Sequence, residues 1–232
     1  MCSPRRVVGT LSAVRILLSW SSGKDSAFAL ATLRQREDAA VVALMTTVNA
    51  AAARVAMHAV RQELLELQAD AVGVPLWTLE IPSPCPHDVY EATMARAIER
   101  ALGEGITHVA YGDLFLREVR AYREAQLVGT GITPLFPLWG RDTRVLADDM
   151  IASGTRAIVT CVDPQQIDGA YSGRKFDAEL LADLPRRCDP CGERGEFHTF
   201  AWDGPAFDHP VPVRMGATVA RDGFVFTDLL PD

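Results

Sequence analysis

Two rhythms of apolar residues alternate along the first 160 positions of the chain. Short, mostly apolar runs at 14–18, 41–48, 75–81, 107–112, 133–138 and 157–162 read as strands, and the near-continuous run at 41–48 has the composition of one covered on both faces. Between them, apolar positions recur every three or four residues. Phe28, Leu30 and Leu33 fall on one side of a helix expected over 25–36, and Val60, Leu64, Leu67 and Ala71 do the same over 58–72. Further helices are expected over 88–102, 118–128 and 142–152, stopped by Gly103 and Gly105, Gly129 and Gly131, and Gly154. Regular alternation of this kind predicts an α/β fold, a mainly parallel sheet with helices on both faces and right-handed crossovers. Ligands of such sheets bind at the carboxyl ends of the strands.

The rhythm changes beyond about residue 140. Residues 163–197 are rich in Asp, Gly, Pro and Arg and read as long loops with one short helix at 176–184. Positions 211–222 and 224–229 read as a hairpin turning at Arg221-Asp222-Gly223. The expected organisation is a loose leader at 1–12, a first part at 13–140, and a smaller α+β part at 141–232 folding over the ligand edge.

Composition narrows the classes. A chain of 232 residues with 48% hydrophobic and 23% charged residues has the make-up of a folded globular protein. A net charge of −7 argues against an electrostatic footprint for DNA or other long nucleic acid. The five cysteines, an odd number, suit reduced thiols and a cytoplasmic setting. The apolar stretch after Arg5 and Arg6 is too short for a signal peptide or a membrane span.

The candidate chemistry begins at 21–26, Ser-Ser-Gly-Lys-Asp-Ser, between the first strand and the first helix. A small-residue turn opening a helix offers backbone N–H groups and the positive end of a helix dipole to an anion. Lys24 is one of only two lysines among 23 basic residues. It adds a compact point charge there. Asp25 and Asp113 are candidate Mg²⁺ ligands, although Asp113 reads equally as a helix cap. Neither G-x-x-x-x-G-K-[ST] nor G-x-G-x-x-G occurs, so the two commoner nucleotide loops are excluded.

The loop resembles the S-G-G-x-D-S signature of the PP-loop ATP pyrophosphatases, with Ser22 in place of the first glycine. Pro137-Leu138-Trp139-Gly140-Arg141-Asp142, Ser172-Gly173-Arg174 and Gly192-Glu193-Arg194-Gly195-Glu196-Phe197-His198-Thr199 resemble the diphthine–ammonia ligase family of that superfamily. The helix segment from Glu63 to Ala69, leading to Gly73-Val74-Pro75-Leu76, does so as well. The resemblance implies a Rossmann-like adenine nucleotide alpha hydrolase fold, with 13–140 binding ATP and Mg²⁺ and 141–232 binding the acceptor. It also implies a carboxylate that is adenylated and then amidated by ammonia, releasing AMP and pyrophosphate.

On that resemblance, nucleotide contacts are expected at Ser19, Ser21, Ser22, Gly23, Lys24, Asp25, Ser26, Thr46, Gly112, Asp113 and Arg141. Lys24, Asp25 and Glu196 are the expected catalytic residues, and Arg120, Arg123, Arg174, Glu193, Glu196 and His198 the expected acceptor contacts. For Arg120 and Arg123, three apart on one helix face, a solvated charged face is the alternative. For Glu196 and His198 the alternative is a plain edge strand. Cys188-x-x-Cys191 has metal-ligand spacing but is a single pair, so zinc is not expected. The acceptor stays open between a small molecule, a modified protein side chain and a tRNA base. A homodimer and a nucleotide-binding sensor without turnover stay open as well.

Overall fold

The computed structural model describes residues 13–49, 54–55 and 60–232. The leader at 1–12, His58 and the start expected for the second helix lie outside the described residues. The elements run β1 (Val14–Ser19), α1 (Lys24–Arg34), β2 (Ala39–Asn49), β3 (Arg54–Val55), α2 (Gln62–Ala71), β4 (Leu76–Ile81), α3 (His87–Gly103) and β5 (His108–Ala110). They continue with α4 (Arg117–Leu127), β6 (Thr133–Leu135), α5 (Thr143–Ala152), β7 (Arg156–Val162), α6 (Ala178–Asp183), β8 (Phe197–Asp203), β9 (Val213–Arg221) and β10 (Phe224–Pro231).

Five parallel strands lie side by side in the order β4-β2-β1-β5-β6, and β3 makes a short antiparallel pairing with the end of β2. Strand alternation splits the interior. Ile16 and Leu18 enter a core shared with α1, α2 and α5, while Leu17 enters a second core with α3 and the end of α4. Central strands covered on both faces account for the near-continuous apolar run of β2. Among the described residues no helix is long and apolar enough to cross a membrane.

One expectation is corrected. Residues 157–162 do not extend the parallel sheet: β7 opens a separate antiparallel sheet of order β8-β7-β10-β9. All its residues from Ala157 to Val162 are buried, so its pattern matches that of a buried parallel strand. The hairpin turns at Asp222-Gly223, both with positive φ (53° and 83°), as a two-residue turn between right-twisted strands requires. The second sheet docks through β8 onto the start of α1, where Ala201 N donates to Ser22 O at 2.9 Å.

Candidate functional site

The 21–26 loop turns sharply from β1 into α1. Ser22 takes φ +68°, a left-handed conformation that costs an L-residue strain, and Gly23 is the N-cap. A Cβ on Gly23 would meet Thr199 O at 3.2 Å, which is why the position suits glycine. The Ser22 carbonyl also accepts from Gln68 Nε2 at 3.0 Å. Its hydroxyl is the one buried side-chain polar atom without a hydrogen-bond partner among the described residues. The N-cap gives α1 no side-chain cap; instead Thr199 of β8 accepts from Lys24 N at 3.1 Å.

Lys24 is buried to 1% exposure. Its ammonium donates to both Asp25 oxygens (3.0 and 2.9 Å) and to the Cys191 carbonyl. The rings of Phe176 and Phe197 lie 5.2 and 5.5 Å away. Burial works against the Lys24 charge, but the Asp25 carboxylate, reinforced by Cys191 and Glu193, outweighs it and holds the ammonium above its usual range.

Gly112, just beyond β5, brings the next loop against the first. A Cβ there would lie 3.2 Å from Asp25 C and Ser26 N, so its close approach is to the loop's own backbone. Asp113 accepts from Arg123 Nε at 2.7 Å, and that guanidinium lies 4.5 Å over the Tyr111 ring. Glu193 accepts from Leu114 N at 2.7 Å, and burial, with Asp25 and Asp113 adding repulsion, pushes its carboxyl up to about 7. Burial, aided by Lys24, pulls His198 down to about 4, so its ring is neutral at pH 7.

These groups surround a polar cavity of about 220 Å³ at the carboxyl edge of the parallel sheet. Of the residues singled out from sequence, Ser19, Ser21, Gly23, Lys24, Asp25 and Ser26 line it from the first loop, and Gly112, Asp113 and Arg123 from the segment after β5. Glu193 and His198 line it from the second sheet's side. Six others are not on its wall. Ser22 is fully buried behind it. Thr46 gives its hydroxyl to the Trp20 carbonyl. Arg120 pairs with Glu124 at 2.7 Å and lies over the adjoining rings of Phe136 and Trp139. Arg141 pairs with Asp149, and Arg174 with Asp183 at 2.8 Å. Glu196 is 2% exposed, and its two oxygens accept from Asp189 N (2.8 Å) and Arg194 N (3.0 Å).

Four contributors escaped the sequence reading. Gln68 joins Trp20, Ser22 and Ala201. Thr199 caps the loop across the sheets. The Cys191 backbone carbonyl, unlike its thiol, carries no residue-type signal at all. Asp189 accepts from Cys191 N (2.9 Å), Glu193 N (3.3 Å) and the Thr143 hydroxyl (2.6 Å), which folds the 188–196 loop toward the cavity. A glutamine on the apolar stripe of α2 and an aspartate amid turn residues were the available hints. The Cys188 and Cys191 thiols are each pushed up to about 12 by burial. They are therefore protonated at neutral pH.

Two family profiles match the chain: the diphthamide synthase N-terminal domain over residues 14–125 and the diphthamide synthase C-terminal domain over 142–224. The chain is similar to a protein of Danio rerio named diphthine–ammonia ligase, 27% identical over 241 residues that cover 95% of this chain and 91% of that one. A protein of the same name from Mus musculus is 26% identical over 181 residues, 70% of this chain and 66% of the relative.

Proposed function

The chain belongs to the diphthamide synthase family, and on that premise we propose that it is an ATP-dependent ligase forming a C–N bond. The observation that carries this reading is the 21–26 loop: a helix N-terminus without a side-chain cap of its own and a buried lysine ammonium meet on one polar cavity, which Ser21, Gly23 and Ser26 also line. In the proposed reaction an acceptor carboxylate oxygen attacks the α-phosphorus of ATP, and the bond to the bridging oxygen breaks to release pyrophosphate. Ammonia then attacks the acyl carbon of the adenylate and AMP leaves, giving an amide. Free ammonia, not ammonium, is the nucleophile, so a base must take one proton.

Lys24 and the first N–H groups of α1 suit the charge that develops on the pyrophosphate. Glu193, on the cavity wall with its carboxyl near neutrality, suits the proton better than Glu196, whose oxygens are engaged in its own loop. Asp25 and Asp113 are the carboxylates that would complete the oxygen shell of a Mg²⁺ carried by the phosphates. Each is paired with a cation, and the described residues hold no ready group of three ligands. The ion would supply neutralisation of phosphate charge.

The acceptor is a small molecule or a modified protein side chain such as the diphthine in the relatives' names, in a cytoplasmic reaction. ATP labelled at the α- and γ-phosphates, incubated with Mg²⁺, ammonium and candidate carboxylates including diphthine-bearing protein, should yield labelled AMP and pyrophosphate only when an acceptor is present. Release of ADP and phosphate overturns the scheme, and so does tight binding of ATP that no acceptor converts, which would make the protein a sensor.

A further inference from the structure

A second cavity, of about 280 Å³, lies between α3 and α4 and shares Arg123 with the polar one. Its wall is apolar along most of its length: Met94, Ile98 and Leu102 on α3 face Leu127 on α4. Tyr90 and Tyr122 flank one end, near the carboxyl edge of the sheet, where Tyr111 ends the wall. Leu102 is 45% and Tyr122 38% exposed, so both ends of the wall are open to solvent. At roughly 30 Å³ per water, the volume holds about nine water-sized groups, which is the scale of a small organic molecule and too much apolar space to be kept as ordered water.

Charge is placed unevenly in it. Arg123 is the cation of the lining and stands at the tyrosine end, the end that adjoins the polar cavity, while Glu99, the carboxylate of the lining, is exposed and belongs to the C-terminal half of α3. Asp113 engages its Nε and Nη2. A guanidinium carries five N–H donors in a planar fork, so donors remain for a second carboxylate. We propose that this cavity is a second binding site, for a small carboxylic acid with an apolar body, and that Arg123 couples its occupancy to the polar cavity. The apolar body lies between Ile98, Leu102 and Leu127, and the carboxylate reaches Arg123. A carboxylate there takes the remaining donors and shares the one positive charge with Asp113, so the pairing that faces the 21–26 loop weakens when the site fills.

The site stands independently of the ligase reading; only the coupling draws on nucleotide binding next door. The test is titration of the unaltered protein by calorimetry with 3-phenylpropionate, and with its neutral amide as the matched control. The acid should bind with millimolar or tighter affinity at one site per chain, and the amide at least tenfold more weakly. Equal binding of acid and amide, or no binding of the acid, overturns the proposal. Ala95→Trp, from an exposed position on the wall, should fill the cavity, and Leu102→Glu should repel the acid at the apolar end. Either variant, folded by circular dichroism and binding as the parent does, overturns it as well. Saturating acid should shift the affinity for Mg·ATP at least threefold, and Mg·ATP should shift that for the acid by the same factor. Unshifted affinities overturn the coupling through Arg123.

Discussion

Ser22 carries two local costs in the turn behind the cavity wall, a left-handed backbone and a buried hydroxyl without a partner. The first is worth about 1–2 kcal/mol and the second about 1 kcal/mol, against which glycine at the same place adds roughly 0.5–1 kcal/mol of unfolded-chain entropy. Ser22→Gly should therefore stabilise the protein by about 1 kcal/mol, read as a higher urea midpoint at unchanged slope. Glu193 gives a pH prediction. Its folded-state carboxyl titrates near 7, above the ordinary 4.5, because burial disfavours the charge. Between those values the folded chain binds the proton more tightly than the unfolded one, so stability must fall as pH rises through 4.5 to 7, by no more than about 3 kcal/mol. Urea midpoints of the parent and Glu193→Gln at pH 5 and pH 8 should differ in that trend, with the glutamine variant flatter. Residue types that bind anions or protons were legible in the sequence, as Lys24, Asp113 and Glu193 are. Which of two nearby glutamates faces the cavity was not, because Glu193 and Glu196 differ only in which backbone N–H groups each meets after the loop has folded.

At the scale of elements, β8 does what the first sheet cannot do alone: it caps and braces the turn from β1 into α1. Gln68 of α2 is the hub of that brace, accepting from Trp20 Nε1 at 2.9 Å and donating to Ser22 O and Ala201 O. Gln68→Leu leaves one donor and two acceptors buried with fewer partners. A loss of about 3 kcal/mol is expected by denaturant unfolding, and ATP binding should weaken with it. Gly192→Ala should act on the neighbouring loop. The added Cβ would stand 2.7 Å from Phe197 O at φ +71°, so the 188–196 loop must shift and carry Glu193 with it. Its mark is a fall in turnover larger than the fall in stability. Helices and parallel strands were legible because their apolar periods are local. The place of β7 was not, since a strand buried on both faces has one pattern whichever partners it takes.

Over the whole molecule, the two sheets share one hydrophobic interior. Ile16, Leu30 and Leu64 from the parallel layer belong to the same cluster as Val159, Phe200 and Leu229 from the antiparallel one. Heat should unfold both together, and calorimetric and van't Hoff enthalpies should agree; two resolved transitions would separate the layers. The same union gives the Gln68 side chain a use outside chemistry. Its NH₂ protons are buried completely and held by carbonyls of the 21–26 loop and of β8, one from each layer. Water reaches them only when the layers part. Their hydrogen-exchange rate, one resolvable pair of signals in a ¹⁵N spectrum, is thus a clock for the opening of the molecule along the seam where its chemistry sits.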